Sequence, residues 1–562
     1  MVVAHGASPP LAPPPPPPLS VGIDSCYRDD DDAGGNGGDG EPLSPTARMF
    51  QDFYIVSVVG CGTPIDFDPA RAGLEVTLAR HPRFCSIRVM DGPAEPRWVR
   101  TTVNLDDHII VPDLDRAAIS ADPDKVLEDY VASLSTLPMD QSRPLWELHV
   151  LDFPTSEAAS AVVFRIHHAL GDGTSLVSLL LACTRSARDP SALPALPSAA
   201  AAPAPAPEDH QGARRRGRAP VFGVPPRPAW SAGALALAAW ALSCALLAWH
   251  TVLDAARFVA MALQILRDPP TVFAGVRGVE FRRKRFVMRT LCLHDVKLVK
   301  HGFGCVRHVV APDPFQPLLL SGIYHLHLFP YMIYVTQTIN DVLVGVTSAG
   351  LSRYYFRRLG DLDANKGTCI RSVLFVNLRP TPGIQKLAKM MESGKHNDLK
   401  WGNRLGYIAM HDDPLDYVRN AKKTVDRKKH SLEAVVTHVI AETVTKLFGI
   451  EVSTALFHRM VSSTTVQFSN MVGPTEPIEF YGHPVVYIAP SVFGHPSALT
   501  IHWQSYTDTI KIILAVDDAQ FPDSHQLLDD FAESLEMIRD AASATFRAQA
   551  KAYPDLHSKR SG

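Results

Sequence analysis

The residues best suited to chemistry in this chain are two adjacent histidines, His167 and His168. An imidazole has an unperturbed pKa of about 6.5, so it can accept and return a proton near neutral pH. Asp172 and Gly173 follow them. Asp172 could hold the second ring nitrogen of His168, or it could pair with an arginine and fix the loop. The pattern therefore indicates a general base in a loop that a carboxylate organises.

The neighbouring residues predict the elements that position the histidines. The apolar run 161–166 indicates a buried strand, and Thr174 with Ser175 is typical of a helix N-cap, because apolar residues follow at helical spacing. We therefore expect the histidines in a tight turn between a strand and a helix, where glycine lets the backbone approach a ligand. The alternative is a pair of core histidines beside a turn, which the combined pattern disfavours.

The His-His-x-x-x-Asp-Gly motif resembles the signature of the CoA-dependent acyltransferase superfamily. That superfamily includes chloramphenicol acetyltransferase, the condensation domains of peptide synthetases, and the wax ester synthase/diacylglycerol acyltransferases. Further segments of this chain resemble the last group in its plant form, over residues 48–548. They are Pro144-Leu145-Trp146, Asn340-Asp341, Val376-Asn377-Leu378-Arg379-Pro380, and Asn470-Met471-Val472-Gly473-Pro474, where Met471 replaces the usual valine.

The resemblance implies an α/β (α+β) fold of two chloramphenicol-acetyltransferase-like lobes. Each lobe would be a mixed sheet with packed helices, and the two would surround a central channel. A long-chain fatty acyl group would pass from acyl-CoA to a long-chain alcohol, giving a wax ester, or to diacylglycerol, giving triacylglycerol. His168 would be the general base, His167 would shape the site, and Asp172 would orient the loop. No cofactor and no metal are expected, since acyl-CoA is a substrate.

The remaining motif residues are candidates for substrate binding or for structural support of the site. By the same resemblance, Asn340 is the candidate for a polar contact with the substrate or the oxyanion. For Pro144, Leu145 and Trp146, a structural role and a substrate-contacting role both remain open. The other candidates are Gly173, Asp341, Asn470, Gly473 and Pro474.

Composition narrows the class of protein. The chain has 562 residues, enough for two substantial cores, and a formal net charge of -3, so no nucleic-acid partner is expected. The sequence lacks a Gly-x-Ser-x-Gly elbow, which disfavours a serine hydrolase. Two alternatives stay open: an acyltransferase of the same fold with another alcohol acceptor, and a non-catalytic lipid-binding homologue impaired by an insertion at 301–337.

The most hydrophobic stretch, 229–249, contains no charged residue. About 20 apolar residues can span a bilayer, although the alanine-rich composition also allows a buried core helix. The histidine motif precedes this stretch and Asn340 follows it, so a single crossing would divide one site between two compartments. We therefore expect 229–266 to lie along or dip into the cytosolic leaflet of the endoplasmic reticulum or the plasma membrane, among membrane lipids. The basic cluster 282–285 would suit anionic headgroups.

These observations predict how the chain is organised. The N-terminal segment contains a proline run and an acidic run, which cannot bury enough apolar surface to fold. The predicted units are a disordered tail rich in Pro, Asp and Gly at 1–47, an N-terminal acyltransferase lobe at 48–185, a flexible Ala/Pro linker at 186–228, a membrane-associated helix or hairpin at 229–266, the first part of a second lobe at 267–400 with the 301–337 insertion, a C-terminal domain at 401–548, and a tail at 549–562.

Overall fold

The computed structural model describes residues 41–43, 47–48, 53–90, 96–171, 173–189, 194, 227–228, 233–304, 338–360, 368–375, 401–408, 413–429 and 431–552. Asp172, the segment 376–380, and most of the N-terminal tail, the linker and the 301–337 insertion lie outside these residues. What the sequence predicts for them therefore stays a prediction.

The described residues alternate between strands and helices. The strands are β1 (Glu41–Pro42), β2 (Tyr54–Cys61), β3 (Ser86–Val89), β4 (Arg97–Arg100), β5 (Ile109–Ile110), β6 (Trp146–Leu151), β7 (Ser160–His167), β8 (Thr184–Ser186), β9 (Lys284–Cys292), β10 (Thr368–Phe375), β11 (Trp401–Ile408), β12 (Val466–Val472), β13 (Ile478–Phe480), β14 (His483–Phe493), β15 (Leu499–Tyr506) and β16 (Thr509–Asp517). The helices are α1 (Phe67–Val76), α2 (Arg116–Ala121), α3 (Pro123–Ser133), α4 (Gly173–Ala182), α5 (Ala234–Ala262), α6 (Leu293–Gly304), α7 (Ile339–Leu359), α8 (Pro414–Lys429), α9 (Glu433–Ser462) and α10 (Ser524–Ala552).

Two large mixed sheets organise the described part of the chain. One has the order β5-β6-β7-β2-β14-β13-β8 and the other the order β11-β10-β12-β15-β16-β9. Strands β5 and β6 are parallel, as are β10 and β12, and β12 and β15, and the other neighbours in these sheets are antiparallel. A small sheet, β1-β4-β3, completes the strands. The predicted α/β class with two mixed sheets is confirmed.

Two strands from the C-terminal part of the chain belong to the N-terminal sheet. Strands β13 and β14 come from the C-terminal part of the chain, yet they complete the N-terminal sheet, with Phe480 opposite Thr184 and Val492 opposite Ile55. A buried cluster that includes Val56 and Val163 on one side and Phe286 on the other joins the two sheets. The N-terminal and C-terminal parts are therefore joined by a common sheet and a common buried cluster.

Helix α7, which carries Asn340 and Asp341, is formed immediately after the insertion. Thr338 and Asp341 make reciprocal capping bonds at its start, at 2.8 and 3.2 Å. Val342 and Val346 are fully buried in the core of the second sheet. Helix α7 is therefore formed and packed into the core after the 301–337 insertion, and the impairment suggested for that insertion stays an untested prediction.

Helix α5 corresponds to the predicted membrane-associated segment. It is one continuous helix of 29 residues, and it is long and apolar enough to cross a membrane. Its apolar window is not buried in the protein, so it is not a buried core helix. The basic cluster 282–285, by contrast, is engaged internally: Arg282 pairs with Asp517, Arg285 pairs with Asp518, and Lys284 is buried. These ion pairs compete with anionic headgroups for the arginines, so the structure does not favour the interpretation of that cluster as a headgroup site.

Candidate active site

The two histidines lie in the predicted turn between strand β7 and helix α4. The backbone N–H of His167 donates to the carbonyl of Leu145 at 2.9 Å, and that of His168 donates to the carbonyl of Phe53 at 2.8 Å. Main-chain groups on both sides of β7 thus fix the direction in which the strand ends. Asp172 lies outside the described residues, so its role as the loop orienter stays a prediction.

His167 is enclosed in the protein. Its side chain is 0% exposed, its Nδ1 accepts a hydrogen bond from the N–H of Ala169 at 3.1 Å, and its ring packs edge-on against Tyr54 at 5.4 Å between centroids. Because Nδ1 accepts, the neutral ring carries its proton on Nε2. These contacts suit a residue that shapes the turn rather than one that meets a substrate.

His168 lines a cavity of about 200 Å³ between the two sheets. Helix α4 lines this cavity with Leu176, Leu179 and Leu180, which share one helical face. Its polar lining consists of Ser57, His168, Ser469, Asn470, Ser491, His495, His502 and Gln504. The cavity therefore combines an aliphatic wall with a set of polar groups around the second histidine.

Two more histidines, His495 and His502, line the same cavity. The ring of His495 packs edge-on against Phe53 at 4.9 Å, and Nδ1 of His502 lies 3.4 Å from Oγ of Ser491. Burial, helped by the charges of His168 and His502, lowers the pKa of His495 well below its usual range, and burial lowers the pKa of His502 to about 4. Both rings are therefore neutral near pH 7. Sequence reasoning missed them, because no motif marks them.

The Asn-Asp motif and the Asn-Met-Val-Gly-Pro motif meet at the cavity. Nδ2 of Asn470 donates to Oδ1 of Asn340 at 3.4 Å. Asn470 is part of the cavity lining and Asn340 is not, so Asn470 is the one of these two amides that borders the cavity. Asn340 supports Asn470 from behind. Asp341 is buried and caps helix α7.

Gly473 and Pro474 directly follow strand β12. Pro474 is part of the lining. A Cβ on Gly473 would come within 2.1 Å of the carbonyl oxygen of Ser505, so glycine is required there for close approach of two backbones. Gly173 also lines the cavity, where a Cβ would be in ordinary contact with Met471 at 3.5 Å.

The Pro-Leu-Trp motif has structural contacts. The indole N–H of Trp146 donates to the carbonyl of Phe84 at 2.9 Å, and its ring stacks on His108 at 4.2 Å. Pro144, Leu145 and Trp146 are not part of the cavity lining. These contacts favour the structural role over the substrate-contacting one, and the Leu145 carbonyl accepts the bond from the backbone N–H of His167.

A buried ion pair lies behind the histidine turn. Arg165 is 1% exposed, donates to Glu147 at 2.9 Å, and also donates to the carbonyl of Leu137. Its guanidinium stacks over the ring of Tyr54 at 4.6 Å, and Tyr54 packs against His167. Burial raises the pKa of Glu147, but His149 and Arg165 outweigh that effect and lower it. Sequence reasoning did not identify this pair.

Comparison with known proteins defines the class of this protein as an acyltransferase. Residues 62–307 match the wax ester synthase/diacylglycerol acyltransferase catalytic domain, and residues 401–539 match the WS/DGAT C-terminal domain. The solved wax ester synthase/diacylglycerol acyltransferase from Marinobacter aquaeolei VT8 has the same fold, with a TM-score of 0.52 at 16% identity, covering 89% of this chain and 100% of that one.

Relatives with higher sequence identity show the family to which this chain belongs. Wax ester synthase/diacylglycerol acyltransferase 5 from Arabidopsis thaliana is 41% identical over 525 residues, covering 89% of this chain and 93% of the relative. Wax ester synthase/diacylglycerol acyltransferase 11 from the same organism is 41% identical over 517 residues, covering 89% of this chain and 95% of the relative. This chain belongs to the wax ester synthase/diacylglycerol acyltransferase family, and the resemblance drawn from its motifs is confirmed.

Proposed function

We propose that this protein is an O-acyltransferase that moves a long-chain fatty acyl group from acyl-CoA to a long-chain alcohol, to diacylglycerol, or to both. The main support for this proposal is the cavity, in which His168 lies among polar groups beside the aliphatic face of α4. An acyl chain or an alkyl chain gains free energy on leaving water for such a wall, at about 25 cal/mol per Å².

The reaction needs a base and a polar site for the carbonyl oxygen, with water excluded. His168 accepts the hydroxyl proton while the alcohol oxygen attacks the thioester carbon. The carbon–sulfur bond then breaks, and His168 returns the proton to the leaving thiolate. Asn470 and the neutral His495 are the groups suited to donate hydrogen bonds to the oxyanion, because both line the cavity. Neither donor carries a charge that would compete with protonation of His168.

The acceptor is tested by supplying a long-chain acyl-CoA with hexadecanol, with diacylglycerol, and with a small polar alcohol. We expect one or both of the long-chain acceptors to accelerate release of CoA, with the matching ester as product. The small polar alcohol should have little effect, since it cannot use the aliphatic wall.

A reaction without acceptor measures hydrolysis. CoA release that no acceptor accelerates would overturn the proposal. Binding of acyl-CoA without turnover would favour the non-catalytic lipid-binding alternative, and ester formation with the polar alcohol alone would favour the acyltransferase with another acceptor.

We infer that α5 lies along the cytosolic leaflet of the endoplasmic reticulum membrane rather than crossing it once. Strand β2 precedes α5 in the chain and strand β14 follows it, yet the two strands are hydrogen-bonded neighbours. Both must therefore be on one side of any bilayer. This placement brings the cavity close to a phase that dissolves diacylglycerol and fatty alcohols.

The topology is tested by protease protection in sealed microsomes, with one epitope tag at residue 210 and another at the C-terminus. Both tags should be digested from the cytosolic side, because the flanking strands share a sheet. Permeabilised microsomes provide the control for tag accessibility. Protection of one tag alone would contradict either this topology or the paired sheet.

A further inference from the structure

The long helix α9 is a hairpin. At Gly449 the backbone angles are φ 83° and ψ 170°, which break the helix between the runs 433–448 and 450–462. Oγ1 of Thr445 donates to Oγ of Ser453 at 2.9 Å, so the two runs lie side by side near the break. Leu447 and Phe448 therefore occupy the hairpin tip.

Both ends of this hairpin rest on helix α5. The N–H of Leu432 donates to Oγ1 of Thr251 at 2.9 Å, and Oγ of Ser463 donates to the carbonyl of Met261 at 3.0 Å. A buried charge cluster joins α5 to helix α8 and, through the ion pair of Lys428 with Glu433, to the start of the hairpin. Asp254 is 0% exposed and pairs with Arg427 at 3.0 Å and with Lys428 at 3.2 Å. The hairpin and α5 thus form one element.

Helix α5 has a covered face and an open face. Leu247, Asp254 and Met261 recur every seven residues and are buried, so they mark the face that packs on the protein. Leu242 and Trp249, which lie on the opposite face, are exposed. This open face is apolar, and an exposed apolar face of this kind marks a surface that binds another apolar surface, of a protein or of a membrane.

The hairpin tip is apolar as well. Leu447 is 70% exposed and Phe448 is 64% exposed. Lys446, the cation nearest to the tip in sequence, already pairs with Glu442 at 3.0 Å. The basic cluster 282–285 is held in internal ion pairs. The tip region therefore offers large apolar side chains without an excess of positive charge.

We propose that the tip residues Leu447 and Phe448 insert into the same lipid leaflet as the open face of α5, and that attachment depends on apolar burial rather than on anionic headgroups. A lipid surface fits better than a protein groove, because the exposed tip belongs to a hairpin whose two ends rest on a helix long enough to span a bilayer. The inference rests on the proposed placement of α5 against lipid.

The test is flotation of the full-length protein with vesicles of phosphatidylcholine and diacylglycerol. Leu447→Glu combined with Phe448→Glu should lower the partition coefficient onto the vesicles at least about tenfold, since burying one such side chain is worth more than a factor of ten in an equilibrium constant. The matched control is Val76→Glu combined with Val111→Glu, which alters two exposed valines of the N-terminal lobe and should float like the wild type.

Lipid charge provides the second arm. Adding phosphatidylserine, or raising the salt concentration, should change binding by less than the roughly fivefold per basic residue expected for electrostatic attachment. Phe448→Trp gives an independent signal when it is compared with the wild type, whose exposed Trp249 also meets lipid: the fluorescence that the new tryptophan adds should shift to the blue with vesicles and be quenched by lipids brominated on their acyl chains. Absence of both changes would overturn insertion of the tip.

Other results would also overturn the proposal. Loss of self-association through the tip would also change flotation, so sedimentation of both proteins is measured without lipid. A wild-type dimer that the tip substitutions dissociate would assign this surface to a second copy of the chain. Equal flotation of tip variant and wild type would exclude insertion of the tip. Acyl transfer in detergent micelles should be unchanged in the tip variant, and flotation remains informative even if no acyl transfer is found.

Discussion

Replacing His168 with alanine should lower ester synthesis by about 10² to 10⁴, the range that a general base contributes. The fold should persist, because the backbone N–H of residue 168 keeps its bond to the Phe53 carbonyl and the ring lines a cavity. The measurement is acyl-CoA turnover with hexadecanol and with diacylglycerol at saturating substrate, together with a thermal unfolding curve.

His167→Ala serves as the comparison. Its ring is enclosed and accepts a bond from Ala169, so its removal should lower the unfolding temperature as well as the rate. The two variants therefore separate a chemical role from a structural one. Near wild-type turnover in a folded His168→Ala protein would show that another group takes the hydroxyl proton.

The histidine turn could be predicted because its determinants are local. The apolar run before His167 forms β7, and the residues after Gly173 form α4, so period and glycine positions alone were sufficient. The family motifs extended this reading to Asn340 and Asn470, which the structure brings within hydrogen-bonding distance. These parts of the site could be predicted because each motif lies next to the strand or helix that positions it.

The rest of the site depends on pairings between distant parts of the chain. His495 follows β14, and β14 belongs to the N-terminal sheet through its pairing with β2. An apolar strand such as β14 has no local feature that selects one sheet over the other. The hairpin in α9 depends on pairings of the same kind, because Gly449 can mark the end of a helix locally but only the contacts of both runs with α5 bring them together.

Arg165→Met should destabilise the protein by about 3–5 kcal/mol, the usual cost of removing one partner from a buried ion pair. Arg165 is buried, and its loss leaves the carboxylate of Glu147 beside His149 without its guanidinium partner. Tyr54 also loses the stacked guanidinium that holds it near His167. Denaturant unfolding at pH 7 measures the free energy of unfolding.

The pH dependence gives a second check on the same pair. The pKa of Glu147 is lowered in the folded protein, because His149 and Arg165 outweigh the opposing effect of burial. Its stabilising contribution is thus complete above the unfolded pKa of about 4.3 and is lost as the pH falls through the lower folded value. The stability difference between wild type and Arg165→Met should therefore narrow in that acidic window.

Lys125→Met is the matched control, since it breaks an exposed pair with Asp129 and should cost only about 0.2–1 kcal/mol. Glu147→Gln completes a double-mutant cycle with Arg165→Met, and the two costs should be strongly non-additive because the groups share one contact. Additive costs, or a loss of stability in Arg165→Met no larger than in Lys125→Met, would show that the pair does not hold the histidine turn. Turnover per folded molecule then separates the two effects: a lower kcat in the folded fraction means that Tyr54 and His167 position His168, whereas an unchanged kcat confines Arg165 to stability.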